Sequence, residues 1–191
     1  SVSNSQRFPI VAWAHAFPWN YPLEASFIQE VLLQLAERQK FEFWLYGVKS
    51  SDKAEQYLKP LQEKGISTRT FQFMSSYKQY LKTLEEVAVG LHPVCLENPY
   101  SQGKSFGKIL SYICADVAVV TNNVLDHRYF FHHGQNGMLP NTVEEYVDCI
   151  EKLLVNPSLR QKIVDTCYQD FVDQLSTPIA ARKVNDLLLS L

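Results

Sequence analysis

Short apolar runs alternate with stretches of helical period along most of this chain. Pro9 to Ala14 is a continuous apolar run of the kind a strand buried on both faces needs. An aromatic loop, His15 to Pro22, follows it, and then Phe27, Ile28, Val31, Leu32 and Leu35 recur at helical spacing. Phe41 to Tyr46 reads as a second strand ending at Gly47, and Ser51-Asp52 caps a helix that runs through Leu58 and Leu61 to Gly65. Ile66 to Phe73 alternates as a third strand. Ser75 or Ser76 caps a short helix to Leu84. Val87 to Leu91 and Val117 to Thr121 are the fourth and fifth strands, and Gly137 to Pro140 is a candidate sixth. The remainder reads as helix: Val143 to Val155, Ser158 to Leu175, and Ile179 to Leu191.

This order predicts an α/β fold, a doubly wound and mostly parallel Rossmann-like sheet of five to six strands with C-terminal helices and right-handed crossovers. Residues 1–191 form one such domain, with 175–191 as its C-terminal helix. Ligands of such sheets bind beyond the carboxyl ends of the strands, where strand order reverses. The loops at that edge are His15 to Pro22, Gly47 to Ser51, Met74 to Tyr77, Pro93 to Gly103, and Asn122 to His127.

Composition narrows the function classes. A net charge of −2 over 191 residues disfavours general nucleic-acid binding, which needs a clustered basic face. No apolar run approaches the ~20 residues that cross a bilayer, and the opening residues do not read as a signal peptide, so none is expected. Cys95, Cys114, Cys149 and Cys167 lack metal-ligand spacing; three fall in apolar patterns, so buried free thiols and a cytoplasmic, reducing compartment are expected. The chain starts at Ser-Val-Ser-Asn-Ser rather than Met, which reads as an excised segment of something longer. Only seven glycines are present, and none forms a GxGxxG, Walker or GxSxG pattern. That disfavours dinucleotide cofactors, P-loop nucleotides and α/β-hydrolase chemistry.

The most informative stretch is Gly103 to Tyr112, a loop running into a helix with Lys104 and Lys108 four residues apart in its opening turn. Lysine there opposes the helix dipole, unless an anion sits on the free N–H groups of the turn. Phe106, Ile109, Leu110 and Ile113 fall on one side of this helix, while Lys104, Lys108 and Ser111 or Tyr112 share the other. An ordinary amphipathic helix with solvated lysines is the plainer reading. The helix follows directly on a loop at the sheet's carboxyl edge, which favours the ligand.

The segments AVGLHPVCLENPYSQGKSFGKILSYICADVAVVTNN and HHGQNGMLPNTVEEYVDCIEKLLVNPSLRQKI resemble the C-terminal, donor-binding half of GT-B-fold glycosyltransferases of the family 4 type. The resemblance covers nearly the whole chain, with ILSYICADVAVVTN and HGQNGMLPN at the places of the family's LEAMACGxPVVAS and GxNGxLV motifs. VAWAHAFPWNYPLEASFIQEVLLQLAERQKFEFWLYG further resembles a subgroup with an aromatic loop after the first strand and KSxxKxLEY in place of the acidic motif, matched by Lys104-Ser105, Lys108 and Tyr112. The family's two glutamates, eight positions apart, align either with Gly103 and Ser111 or with Lys104 and Tyr112, so neither alignment keeps a carboxylate. The Arg and Lys near the first strand are absent, with His15 in that neighbourhood, and Asp116 replaces a common glycine.

The resemblance implies a transferase that holds a nucleotide-diphosphate sugar as substrate, with no cofactor and no metal, for polysaccharide biosynthesis. The acceptor would belong to an N-terminal domain, through which peripheral membrane contact would occur, and this isolated domain would turn over nothing. Lys104, Ser105, Phe106, Gly107 and Lys108 are the diphosphate candidates; Ser111, Tyr112, Glu97, Asn122 and His15 are candidates for ribose or sugar. Trp19 and Asn20 line the first-strand loop, Asn123 ends the fifth strand, and the Tyr129-Phe130-Phe131 run reads as helix core. His132 and His133 have no carboxylate or cysteine at ligand spacing and read as structural or exposed. No catalytic residue is assigned. The competing reading is a non-catalytic glycosyltransferase-like module kept for binding or assembly. A sugar-phosphate epimerase of similar fold would need histidine and carboxylate acids and bases that the chain does not supply.

Overall fold

The computed structural model describes residues 2–15, 17–103 and 106–189. Among the described residues five strands are formed: β1 (Ile10–Ala14), β2 (Glu42–Val48), β3 (Ser67–Gln72), β4 (Val89–His92) and β5 (Ala118–Thr121). The helices between them are α1 (Pro22–Leu35), α2 (Ser51–Glu63), α3 (Tyr77–Leu84), α4 (Pro99–Gln102) and α5 (Gly107–Cys114). After β5 come α6 (His127–Phe130), α7 (Val143–Val155), α8 (Pro157–Gln174) and α9 (Thr177–Leu189). All pairings are parallel and the strand order is β3-β2-β1-β4-β5, so the order reverses between β1 and β4.

The expected sixth strand is not formed. Met138 makes an isolated parallel bridge to Val120, because the Gly-Met-Leu-Pro stretch meets β5 at that one residue before Pro140 ends it. The cysteine expectation also needs correction: Cys149 and Cys167 are buried, Cys95 is intermediate and Cys114 is exposed, all as free thiols.

Alternation along the strands fills two cores. Val11 and Trp13 of β1, Phe43 and Leu45 of β2, and Leu91 of β4 face α1, α2 and α7, where Ile28, Leu32, Leu58, Leu61, Val147 and Ile150 complete an apolar layer. Ile10, Ala12, Ala14, Trp44 and Tyr46 face α3, α5 and the Phe130-Phe131 pair. Phe130 and Phe131 are buried as expected, while Tyr129 of the same run is exposed. Beyond Ile10, β1 presents only Ala12 and Ala14 to this second layer, and these small residues admit α5 closely.

Tyr112 occupies that space. Its side chain is fully buried, and its ring lies where a Cβ on Gly90 would come within 2.7 Å of it. The β1–β4 ladder stops at Trp13 and Leu91. Just beyond, the Ala14 N–H donates to the Tyr112 hydroxyl at 2.8 Å, and Ala12 O and Leu91 O lie 3.3 and 3.2 Å from it as acceptors. Burial pushes this phenol well above its usual range. Tyr112 therefore braces the sheet where β1 and β4 part, and the expectation that it bonds a ribose is corrected: its hydroxyl is consumed by backbone groups.

Asp116 adopts a left-handed conformation, φ 53°, in the turn entering β5. That conformation suits glycine best and Asp tolerably, which explains why an aspartate can stand at a place the resemblance gives to glycine.

Tyr112→Phe orphans the buried Ala14 N–H and is expected to cost about 1–3 kcal/mol in denaturant unfolding. Gly90→Ala pushes a methyl into the pinned ring and is expected to cost a similar ~1–3 kcal/mol. Stability equal to wild type in both would show the brace to be dispensable.

Candidate functional site

A cavity of about 720 Å³ opens over the carboxyl ends of β1 to β4. Its volume is in the range of small-molecule sites. His15 and Asn20 enter it from the loop after β1, Gly47 from the end of β2, and Phe73 to Ser75 from the end of β3. Tyr77 and Tyr80 of α3, His92 at the end of β4, and Gly107, Lys108 and Ser111 of α5 close the other side. Four of the five loops expected at this edge contribute; the Asn122 to His127 loop does not line it.

The expected site residues separate clearly. Lys104 and Ser105 lie outside the described residues. Gly107 and Lys108 line the cavity at the start of α5. Phe106 is the N-cap residue of α5 and gives it no side-chain cap. Its ring packs against His127, Phe130 and Phe131 at 5.8, 5.3 and 5.7 Å, so only its backbone is at the cavity's edge of the helix. The first-turn N–H groups of α5 have no intrahelical acceptors, which is the condition for anion binding.

Ser111 lines the cavity, with its hydroxyl 3.3 Å from that of Tyr77 and donating to Gly107 O at 3.4 Å. His15 is nearly buried and packed against Tyr21 at 4.1 Å, and its Nδ1 accepts the Phe17 N–H at 3.3 Å. Glu97 is exposed in a turn and does not line the cavity, so it does not stand in for the missing carboxylates. Asn122 is also elsewhere: it accepts the Val94 N–H at 2.8 Å and the Tyr146 hydroxyl at 3.0 Å, and donates to Val94 O at 3.3 Å. It ties the end of β5 to the loop after β4. Trp19 turns away to pack on Tyr57 at 5.5 Å. His132 and His133 are exposed, and among the described residues no group of His, Cys, Asp or Glu could hold a metal ion.

Lys108 is the one Lys or Arg among the described residues lining the cavity, and none of those residues is a carboxylate. Lys108 is partly buried, and desolvation lowers its pKa from the usual lysine value. Among the described residues no carboxylate forms an ion pair with it. A desolvated cation without an internal counterion, beside the open N-terminus of a helix, is set up for an anion that arrives from outside.

The sequence reading missed Glu24. Its carboxylate is fully buried in the first turn of α1, where a negative charge suits the helix dipole. It accepts the Ser101 hydroxyl, the Cys95 N–H at 3.2 Å and the Asn98 amide at 3.4 Å. Asn98 in turn caps α4, accepting the Tyr100 N–H at 3.2 Å. Glu24 thereby fixes the loop that leads to α5. Nothing in the spacing distinguishes it from an ordinary first-turn acid. Tyr80 was likewise missed, and Tyr77 was placed at the correct edge only as the end of the loop from Met74.

No family model and no curated protein matches the sequence. Solved structures do. The C-terminal domain of a glycosyl transferase group 1 family protein, LpcC from Francisella tularensis, superposes with a TM-score of 0.64 at 14% identity, over 89% of this chain and 87% of that one. The chain has the fold of that domain. S. aureus TarM, solved with fondaparinux, alpha-GlcNAc-glycerol and UDP, matches with a TM-score of 0.68 at 16% identity over 93% of this chain and 35% of its own. Anabaena HepE, solved with UDP and glucose, matches with a TM-score of 0.67 at 16% identity over 98% of this chain and 50% of its own. The chain spans about a third of TarM and half of HepE. No helix among the described residues is long and apolar enough to cross a membrane.

Two substitutions should act oppositely on the free protein. Glu24→Ala strands the buried donors of Ser101 and Asn98 and is expected to destabilise by about 1–3 kcal/mol. Lys108→Met removes a cation whose folded pKa is depressed. The unfolded chain binds that proton more tightly, so the charge opposes folding at neutral pH and the variant is expected to gain roughly a few tenths of a kcal/mol. Thermal unfolding of both variants checks the pair; a loss of stability in Lys108→Met would show that the lysine holds the fold rather than serving the cavity.

Proposed function

We propose that the cavity holds a nucleotide-diphosphate sugar and that the chain is the donor-binding part of a glycosyltransferase whose acceptor is bound by another domain. The observation that carries this reading is Lys108: a partly desolvated cation with no carboxylate among the described residues paired to it, at the opening turn of α5, on the cavity wall. The diphosphate takes the α5 N–H groups and the Lys108 ammonium, with Lys104 as a second cation in the same proposal. Lysine serves phosphate as a point charge. The same contacts stabilise charge developing on the departing nucleotide, so the leaving group needs no metal. UDP in the structures of HepE and TarM accords with this reading, as does the fold.

A second reading is a non-catalytic binding module. It is favoured by the lining itself, which holds no carboxylate among the described residues. Both readings share the anion contacts and differ in turnover, so transfer or hydrolysis of a bound nucleotide sugar by the longer protein separates them.

Calorimetric titration with nucleoside diphosphates and nucleotide sugars tests the shared claim. Lys108→Ala is expected to weaken binding about 10- to 100-fold, the worth of a charge-assisted contact. Affinity should fall as ionic strength rises. A bound anion raises the Lys108 pKa from its depressed value, so binding takes up a proton in the alkaline window between the two values. Affinity therefore falls as pH rises through the free-protein value. Binding that ignores Lys108, salt and alkaline pH alike would overturn the assignment.

A further inference from the structure

His127 is a polar residue in a place otherwise given to apolar ones. It opens α6 and is only 1% exposed. Its ring meets those of Phe106 and His92 at steep angles, with centroids 5.8 and 5.2 Å away. Burying an imidazole is unfavourable unless its polar atoms are met. Here Nδ1 lies 2.9 Å from the Thr121 hydroxyl and 3.4 Å from Asn122 O.

The direction of that bond follows from its neighbours. The Thr121 hydroxyl has one proton, and it donates that proton to His92 O at 2.8 Å. Toward His127 it can only accept, and so can the Asn122 carbonyl. Nδ1 therefore carries the ring proton, and Nε2 is the acceptor of the neutral imidazole.

This cluster joins four elements near the cavity without lining it as a whole. Thr121 ends β5, His92 ends β4, His127 opens α6 and Phe106 precedes α5 as its N-cap residue. His92 is on the cavity wall, and Phe106 stands directly before Gly107 and Lys108, which are on it too. Phe106 supplies no side-chain cap, so the direction of the opening turn is set by where its ring is lodged. Phe130 and Phe131 hold that ring by contact alone, at 5.3 and 5.7 Å. Apolar contacts resist separation but fix orientation weakly. A hydrogen bond is directional, and a satisfied buried one selects a single arrangement.

We propose that His127 is a positioning residue for the anion contacts at α5. Its Nδ1–H bond to Thr121 fixes the imidazole, the imidazole fixes the Phe106 ring, and that ring sets where the first turn and Lys108 stand. This inference rests on the donor-site reading above and deepens it with a residue outside the cavity.

Calorimetry with inorganic pyrophosphate and UDP-glucose tests it on wild type, His127→Phe, Thr121→Val, their double variant, Lys108→Ala, and Lys108→Ala with His127→Phe. His127→Phe keeps a flat ring against Phe106 and removes the N–H; Thr121→Val keeps the shape and removes the hydroxyl. Each is expected to weaken both ligands by about 5- to 50-fold, and the double variant no more than either alone, since both break the same link. On the Lys108→Ala background the loss from His127→Phe is expected to shrink to about twofold or less, as for a residue acting through the lysine. Tyr129→Ala, on the exposed side of α6, is expected to leave both affinities unchanged. Long-range proton–nitrogen NMR of wild type at about pH 8, above the ordinary histidine range, is expected to show the His127 ring protonated at Nδ1.

A ring protonated at Nε2, or losses that add in the double variant, would overturn the positioning role and leave the donor site standing. So would affinities that depend on Lys108 but ignore both His127→Phe and Thr121→Val. Pyrophosphate and UDP-glucose that fail to bind wild type, or that bind Lys108→Ala equally well, would overturn the donor site and the positioning role with it.

Discussion

Everything at the carboxyl edge of this sheet depends on how β1 and β4 are allowed to part. A parallel pair of strands that separates leaves backbone donors without partners, and a buried orphan N–H is destabilising on the scale of a lost hydrogen bond. Here one phenol meets that need. Tyr112 takes the Ala14 N–H where the ladder ends, and its ring fits only because position 90 is glycine and positions 12 and 14 are alanine. The helix that carries Tyr112 is α5, so the same contact that closes the core also fixes where the first turn of α5 points. The crevice at the strand-order reversal and the helix N-terminus that faces it are two consequences of one packing arrangement.

The electrostatics build on that placement. Glu24, buried at the start of α1, holds the loop from Cys95 to Ser101 and thus the approach to α5. Its oxygens are taken up by the protein's own donors. Lys108 is the reverse: it is partly withdrawn from water, with no carboxylate among the described residues paired to it. The carboxyl group is committed to structure, and the lysine is kept available on the cavity wall. A site built to bind an anion reversibly needs this division, because a lysine already neutralised from within would gain little from a phosphate.

Much of this was legible in the sequence. Strands buried on both faces read as continuous apolar runs, and Ile10 to Ala14 and Ala118 to Thr121 formed where those runs lay. The site was legible to the extent that it sits on the fold: the loops at the carboxyl edge and the opening of α5 follow from strand–helix alternation. What stayed hidden was orientation. Ser111 and Tyr112 are adjacent, both could share a face with Lys108, and only packing against Gly90 sends the tyrosine inward and leaves the serine at the cavity. Glu24 and Glu97 are both loop-proximal acids, yet one is fully buried and the other exposed, a difference made by contacts more than seventy positions away, such as that with Ser101. Gly137 to Pro140 had the composition of a strand and became a single bridge, since a neighbour for pairing is a tertiary property.

The most direct measurement is a crystal structure of the protein soaked with a nucleoside diphosphate. The account predicts diphosphate density against the first turn of α5, with a phosphate oxygen within hydrogen-bond distance of Lys108 Nζ and Tyr112 still on the Ala14 N–H. Nucleotide density anywhere else on the surface, with the α5 turn facing only water, would contradict it.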